Sequence, residues 1–431
     1  MGIRNIIVLP YDKKWKQDFL DIESELRAAL GNLALSIEHV GSTSVEGLSA
    51  KPIIDIDVVV QPGDVDAAIK ALAAIGYNHE GNLGIEGREA FNYSGKEHLR
   101  EHHLYVCPED SPELKRHLAF RDYLRSHKEA VEEYSKIKLE AAALYPHDID
   151  GYIKHKSSVI EKIYFDIYKK KIGTGAQAEV FLYDGFAYKV YRPGYPAEWI
   201  AFEKEQQAAV NKAGLCPVKY YETGDSHVIK MDFVDGITLE KRMNYLNGKE
   251  NDHENGKANG NETVNECHSA EGCDSAFTNT LVTTLEDGFN LLVQAFKFVH
   301  NAAVREVAIP RLIETAGIGM SEEEKNQVIP IIQRLSEKYP SCVCHLDMHF
   351  LNIMLLRNKN EYTIIDWMNA RLAPAVFDYA RTYVIFVEFA KEVSEIYRQL
   401  IWPDIQALGI SEEDFYAAVE ACTVIRKQEK K

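Results

Sequence analysis

The stretch Cys344-His345-Leu346-Asp347-Met348-His349-Phe350-Leu351-Asn352, followed by Ile364-Ile365-Asp366-Trp367, constrains this chain more than any other. In the order H-x-D-x-x-x-x-N, one carboxylate, Asp347, is placed to accept a proton from an attacking hydroxyl. One amide, Asn352, is placed to hold a magnesium ion on the leaving phosphates. That chemistry needs a second metal ligand close by, and Asp366 supplies it from the end of the β-type run Tyr362-Thr363-Ile364-Ile365. Taken singly, each residue reads as a turn or strand-end residue. Taken in this order, they read as the catalytic loop of a phosphotransferase that acts on a hydroxyl acceptor.

A loop of this kind requires a nucleotide-binding half, and the sequence upstream offers one. Ile172-Gly173-Thr174-Gly175-Ala176-Gln177-Ala178-Glu179-Val180 has the G-x-G form of a phosphate-covering hairpin, with Gly173 and Gly175 as the cofactor-binding glycines. It leads through an Asp184-Gly185 turn into Phe186-Ala187-Tyr188-Lys189-Val190-Tyr191, which reads as the return strand. Lys189 sits where a lysine could reach nucleotide phosphates, and it needs a carboxylate from the next helix. Glu203 and Glu205 are available there, and Glu205 is the expected partner. The run Asn247 to Asn279 holds Asn, Gly, Glu and Ser with almost no large apolar residue, so it reads as a disordered insertion over about 247–279.

The first part of the chain has different signals. Trp15, Phe19, Ile22, Leu26 and Leu30 recur at helical spacing up to Gly31. Then comes Glu38-His39-Val40-Gly41-Ser42-Thr43-Ser44, followed by Ile53-Ile54-Asp55-Ile56-Asp57-Val58-Val59-Val60. Strand alternation puts Asp55 and Asp57 on one face, and two neighbouring carboxylates repel unless a divalent cation joins them. The Gly41-Ser42 turn exposes N–H groups and a hydroxyl suited to a triphosphate. From Pro112 a helical pattern runs through Leu114, Leu118, Leu124, Ala130, Tyr134 and Ile137 to Leu144, with Ser111 as its cap.

Length and charge bound these readings. A chain of 431 residues exceeds one ordinary core, which points to two or three folding units. The net charge of -17 opposes nucleic acid or an anionic membrane as a partner. No apolar run reaches signal-peptide or membrane-span length, which places the protein in the cytoplasm as an expectation. Seven scattered cysteines form no disulfide framework and no C-x-x-C spacing, so free thiols are expected.

Two resemblances gather these motifs. Glu38 to Ser44, Lys51 to Asp57, His102-His103-Leu104-Tyr105-Val106 and Phe120-Arg121-Asp122-Tyr123-Leu124-Arg125 together resemble the GrpB-like family, of nucleotidyltransferase fold. The glycine loop, Lys189, the hinge-like Ile229 to Gly236, the catalytic loop with His349, Asp366 and Ala375-Val376-Phe377-Asp378-Tyr379-Ala380 resemble the aminoglycoside phosphotransferase family. Leu346 stands there in place of the family's Gly, and Phe350-Leu351 in place of Pro-Gly. The resemblances imply an α+β protein: a nucleotidyltransferase-like mixed α/β domain at 1–165, then a bilobal protein-kinase-like domain at 166–431. They also imply ATP or GTP with Mg2+ as cofactors, and a small-molecule hydroxyl acceptor that the acidic C-terminal helices suggest is amine-bearing. A nucleotidyltransferase centred on the first domain and a non-catalytic nucleotide sensor are the other readings.

Overall fold

The computed structural model describes residues 5–248, 277–304 and 307–429, so the insertion expected over about 247–279 lies, apart from its edges, outside the described residues. The chain divides into two compact units, Met1–Lys169 and Lys170–Lys431.

In the first unit, helix α1 (Lys14–Leu30) buries Trp15, Phe19, Ile22, Leu26 and Leu30 on one face, as their spacing requires, and ends at Gly31 with φ of 50°. It covers a sheet of β1 (Ala34–Val40), β2 (Ile54–Val60), β3 (Tyr77–Gly81), β4 (Glu89–Tyr93) and β5 (His102–Pro108). The strand order is β1-β2-β5-β4-β3, with β2 and β5 parallel and the other pairs antiparallel. Ile54, Ile56 and Val58 are fully buried in the core with Trp15, Ile22 and Leu26, so the alternation of β2 sends Asp55 and Asp57 to the other face. Helix α2 (Val65–Ala74) joins that core through Ala68 and Leu72.

The helical pattern that starts at Pro112 forms two helices rather than one. Helix α3 (Pro112–Ser126) starts where the Ser111 hydroxyl accepts from the Leu114 N–H, and it stops at His127, whose φ and ψ of -124° and 90° are extended. The Ser126 hydroxyl and the His127 ring both donate to the Tyr123 carbonyl, at 2.9 and 2.8 Å, and so take the acceptor that another turn of helix would use. Helices α4 (Lys128–Leu144) and α5 (Ile149–Tyr168) follow, and with α3 they enclose Leu48, Leu124, Tyr134 and Ile163.

The second unit opens with an antiparallel sheet of β6 (Lys170–Thr174), β7 (Ala178–Tyr183), β8 (Phe186–Tyr191), β9 (Tyr220–Tyr221) and β10 (Val228–Asp232), in the order β6-β7-β8-β10-β9. Asp184 and Gly185 both have positive φ, 48° and 76°, the backbone of a tight two-residue hairpin. Helix α6 (Ala197–Lys212) packs on this sheet through Ile200.

After β11 (Gly236–Thr238) the unit becomes mostly helical: α7 (Leu239–Leu246), α8 (Leu285–His300), α9 (Leu312–Thr315), α10 (Glu322–Lys338), α11 (Ala375–Phe389), α12 (Lys391–Ala407) and α13 (Glu412–Gln428). Among them lie two small sheets, β11 with β13 (Ile353–Leu356) and β14 (Tyr362–Ile364), and β12 (Ser341–Cys344) with β15 (Arg371–Pro374). A side chain at position 236 would overlap the Leu355 carbonyl of the paired strand, so glycine is required there. Phe296, Trp367, Phe377, Tyr379, Tyr397 and Phe415 are almost fully buried at the centre of this part. The whole is an α+β chain: a mixed α/β unit, then a kinase-like unit with a β-rich part and a helical part.

Candidate active site

Lys189 lies in the middle of β8, opposite Val180 of β7 and Ile229 of β10. Its ammonium donates to Glu203 Oε1 at 2.8 Å and lies 3.6 Å from Asp366 Oδ1. Burial alone would lower the pKa of this lysine, but the Asp366 and Glu203 charges outweigh it and hold it well above its ordinary value. The carboxylate that meets Lys189 is therefore Glu203 and not Glu205. On α6, Glu203 shares the face of Ile200, Gln207 and Val210, at offsets of three, four and seven, and it is buried. Glu205 is exposed, on the other side of the helix. The Tyr191 and Tyr220 hydroxyls also donate to Glu203, so this buried carboxylate is well satisfied.

The catalytic loop is fixed from below by Asp378, which sits in the first turn of α11 with no exposure. Its two oxygens accept the His345 and Leu346 backbone N–H groups at 3.0 and 2.8 Å, and Oδ2 also accepts from His300 Nε2 at 2.9 Å. His345 is buried, and that burial lowers its pKa, so the ring is neutral. It donates from Nε2 to the Ile365 carbonyl at 3.1 Å and accepts the Asp347 N–H at Nδ1, 3.3 Å away. One imidazole thus joins the loop to the segment that carries Asp366. Leu346 adopts φ of 56°, the conformation that a glycine takes without strain, while its side chain is buried in the core.

Asp347 accepts from Asn352 Nδ2 at 3.2 Å, and its own carbonyl accepts from the same nitrogen at 2.8 Å. His349 Nε2 lies 3.7 Å from its carboxylate. Burial would raise the pKa of Asp347, yet the neighbouring His349 ring and the Arg381 charge hold it well below the usual carboxylate range. Because Nδ2 of Asn352 is engaged by Asp347, Oδ1 is the atom left to ligate a cation. Asp366 has left-handed backbone angles of 63° and 63°, and its carboxylate is 43% exposed. One exposed carboxylate and one amide oxygen are hard oxygen donors, and together with nucleotide phosphates they fit Mg2+.

A cleft of about 1100 Å³ lies between these elements, and Asn352 sits behind Asp347 rather than on the cleft's lining. Gly175, Lys189, Asp347 and Asp366 line it, with Arg381 of α11 and Glu429 just beyond α13. The glycine hairpin closes over it with the Gly175 N–H donating to the Ala178 carbonyl at 2.8 Å.

The first unit places its expected site residues in a different setting. Gly41 and Ser42 form the turn after β1, beside β2. His103 Nδ1 donates to Asp55 Oδ1 at 2.8 Å, and His117 Nδ1 donates to Asp57 Oδ2 at 2.7 Å. Among the described residues no third metal-ligating side chain gathers with these two aspartates. Each histidine engages one oxygen of its aspartate, and Asp57 Oδ1 is left buried without a hydrogen-bond partner.

A β-rich part with a lysine–glutamate pair, joined to a helical part that carries Asp347 on a buried loop, defines a kinase-like fold. The phosphotransferase enzyme family matches residues 296–405, and the GrpB protein family matches residues 5–165. Over those first residues the chain belongs to the GrpB family. It is 32% identical over 162 residues to glutamate-rich protein GrpB of Alkalihalophilus pseudofirmus, covering 37% of this chain and 93% of that protein. It is 35% identical over 159 residues to UPF0157 protein YqkA of Bacillus subtilis, covering 37% of this chain and 46% of that protein, and so spans about half of the relative's length. A crystal structure of aminoglycoside phosphotransferase APH(4)-Ia aligns with 63% of this chain and 96% of its own, at 10% identity and a TM-score of 0.37. No helix among the described residues is long and apolar enough to cross a membrane.

Proposed function

We propose that the second unit transfers the γ-phosphoryl group of ATP or GTP, with Mg2+, to the hydroxyl of a small molecule. The observation that carries this reading is the convergence of Lys189, Asp347 and Asp366 on one cleft, with Lys189 held by Glu203. In this reading Lys189 binds the nucleotide phosphates beneath the Gly173–Gly175 hairpin. Asp366 and Asn352 Oδ1 would hold the cation, which would neutralise charge on the phosphates. Asp347, kept ionised by its surroundings, orients the acceptor hydroxyl and takes its proton as the oxygen attacks phosphorus. Glu429 lines the cleft paired with Arg381 and Arg426, so an amine-bearing acceptor would share this carboxylate with two guanidinium groups.

ATP labelled separately at the α and γ phosphates, offered with a panel of amino alcohols, amino sugars and simple alcohols, tests the reading. Label from the γ position on the acceptor is the expected result. Label from the α position would mean nucleotidyl transfer, and label from neither with intact ATP binding would mean a sensor.

A further inference from the structure

Phosphotransfer gives Asp378 and His345 their places but leaves no role for the two cysteines that lead into the catalytic loop. Cys342 and Cys344 are two apart on β12, so both side chains leave the same face of the strand. Their sulfurs lie 3.7 Å apart, with Cys342 half-buried and Cys344 fully buried. His300, the last residue of α8, brings its ring against them. One ring nitrogen and the two sulfurs all lie within 4.8 Å of one another.

A buried cysteine taken singly packs as a small apolar residue. Packing does not account for the separation of this pair together with the imidazole against it. Two thiolates bound at about 2.3 Å to a tetrahedral cation stand about 3.8 Å apart, so the sulfurs already have a chelating separation. His300 Nε2 donates to Asp378 Oδ2 at 2.9 Å, and such a carboxylate is what orients a metal-bound imidazole. With Nε2 engaged there, Nδ1 is the nitrogen that can ligate. The sulfurs also face the Ala373 carbonyl, at 3.5 and 3.3 Å, through weak contacts that a cation would replace. The Cys344 hydrogen bond lowers the Cys342 thiol, against burial and with help from the His300 charge, while burial raises Cys344. The more exposed cysteine is thus also the readier to ionise. A disulfide is the competing fate of the pair, but closing one between residues two apart on an extended strand would distort β12 and its pairing with β15.

We propose that His300, Cys342 and Cys344 form a binding site for a thiophilic cation of the Zn2+ class, with water in the fourth position. Thiolate and imidazole suit Zn2+, whereas Mg2+ prefers oxygen, so the site differs in chemistry from Asp366 and Asn352. Binding releases one proton from each thiol to solvent and leaves the Nε2 proton of His300 on its bond to Asp378. Cys344 adjoins His345, and Asp378 also accepts the His345 and Leu346 N–H groups, so a cation here would tie α8 and β12 to the base of the catalytic loop. The proposal does not rest on phosphotransfer and survives its failure.

Titration of the full chain, reduced and freed of metal, with Co2+ tests it, because thiolate ligation gives cobalt a charge-transfer band in the near ultraviolet and tetrahedral ligation gives it strong visible bands. The starting chain carries Cys267→Ser and Cys273→Ser, so that those thiols add no signal. One equivalent of Co2+ should produce both features, Zn2+ should bleach them, and a large excess of Mg2+ should leave them in place. Affinity should be weaker by about ten-fold or more in Cys342→Ser and in His300→Gln. Cys342 is half-buried, so its variant decides the matter if His300→Gln, which also disturbs Asp378, fails to fold. Absence of the charge-transfer band in the reduced chain, its loss to Mg2+, or unchanged affinity in folded Cys342→Ser would overturn the proposal.

Discussion

At the scale of the residue, the site was legible where spacing along the chain dictates the chemistry and illegible where a choice depended on helix phase. Lys189, Asp347, Asn352 and Asp366 came from motif order alone. Glu205 was expected over Glu203 because both lie at a plausible distance from Lys189 in sequence. The apolar positions Ile200 and Val210 carry the missing signal, since they share a face with Glu203. Glu203→Gln should therefore lower kcat/KM for the nucleotide by at least ten-fold, while Glu205→Gln leaves it within about two-fold; steady-state kinetics on both variants checks this. Asp347→Asn should leave ATP affinity within a few-fold and reduce turnover by roughly 10² to 10⁴, the scale of a lost general base. Asp366→Ala should instead weaken magnesium-supported ATP binding, so calorimetry with and without magnesium separates the two roles. Leu346→Gly sets two effects against each other. Relief of the left-handed backbone is worth about 1–2 kcal/mol, and loss of a buried leucine side chain costs about 2–5 kcal/mol. The cavity wins, and chemical denaturation should show a net loss of about 1–3 kcal/mol despite the better backbone fit.

At the scale of the element, periodicity gave α1 and the two faces of β2, because both bury one continuous stripe. It failed between α3 and α4, because Ser126 and His127 end the helix through side-chain hydrogen bonds, which leave the apolar spacing untouched. The anchoring of the loop to α11 was also beyond the sequence, since Asp378 and His345 are far apart along the chain and meet only through the fold. His300 is the titratable partner in this anchor. Burial lowers its pKa, but the Asp378 hydrogen bond and charge prevail and raise it above 6.5. A raised folded-state pKa contributes stability that is fully present below about 6.5 and is lost as pH rises through the folded value. The thermal midpoint of the wild type should therefore fall more between pH 6 and pH 9 than that of His300→Gln. Equal slopes would show that the imidazolium contributes nothing to the anchor.

At the scale of the whole molecule, two sets of motifs announced two families, and the order of mixed sheet, hairpin and catalytic loop announced an α+β chain. What the motifs could not show is how the first unit uses its charges. The spacing of Asp55 and Asp57 suggests a metal, and the histidines that bind them come from β5 and α3, which no local pattern connects to β2. Binding of magnesium and ATP to the second unit should raise one unfolding transition, by about 2.7 kcal/mol at a nucleotide concentration a hundred times Kd, and Asp366→Ala should cancel the shift. The Asp378 anchor also bears on how such an enzyme can be controlled. Moving the catalytic loop would strand a buried carboxylate, and removing one partner of a buried pair costs about 3–5 kcal/mol. The loop is therefore a fixture and not a switch. The Lys189–Asp366 contact, at 3.6 Å and open to the cleft, is the looser joint, so if the proposed phosphotransfer is right, a signal that stops it acts most easily on the Lys189 side, while the loop that carries Asp347 stays assembled.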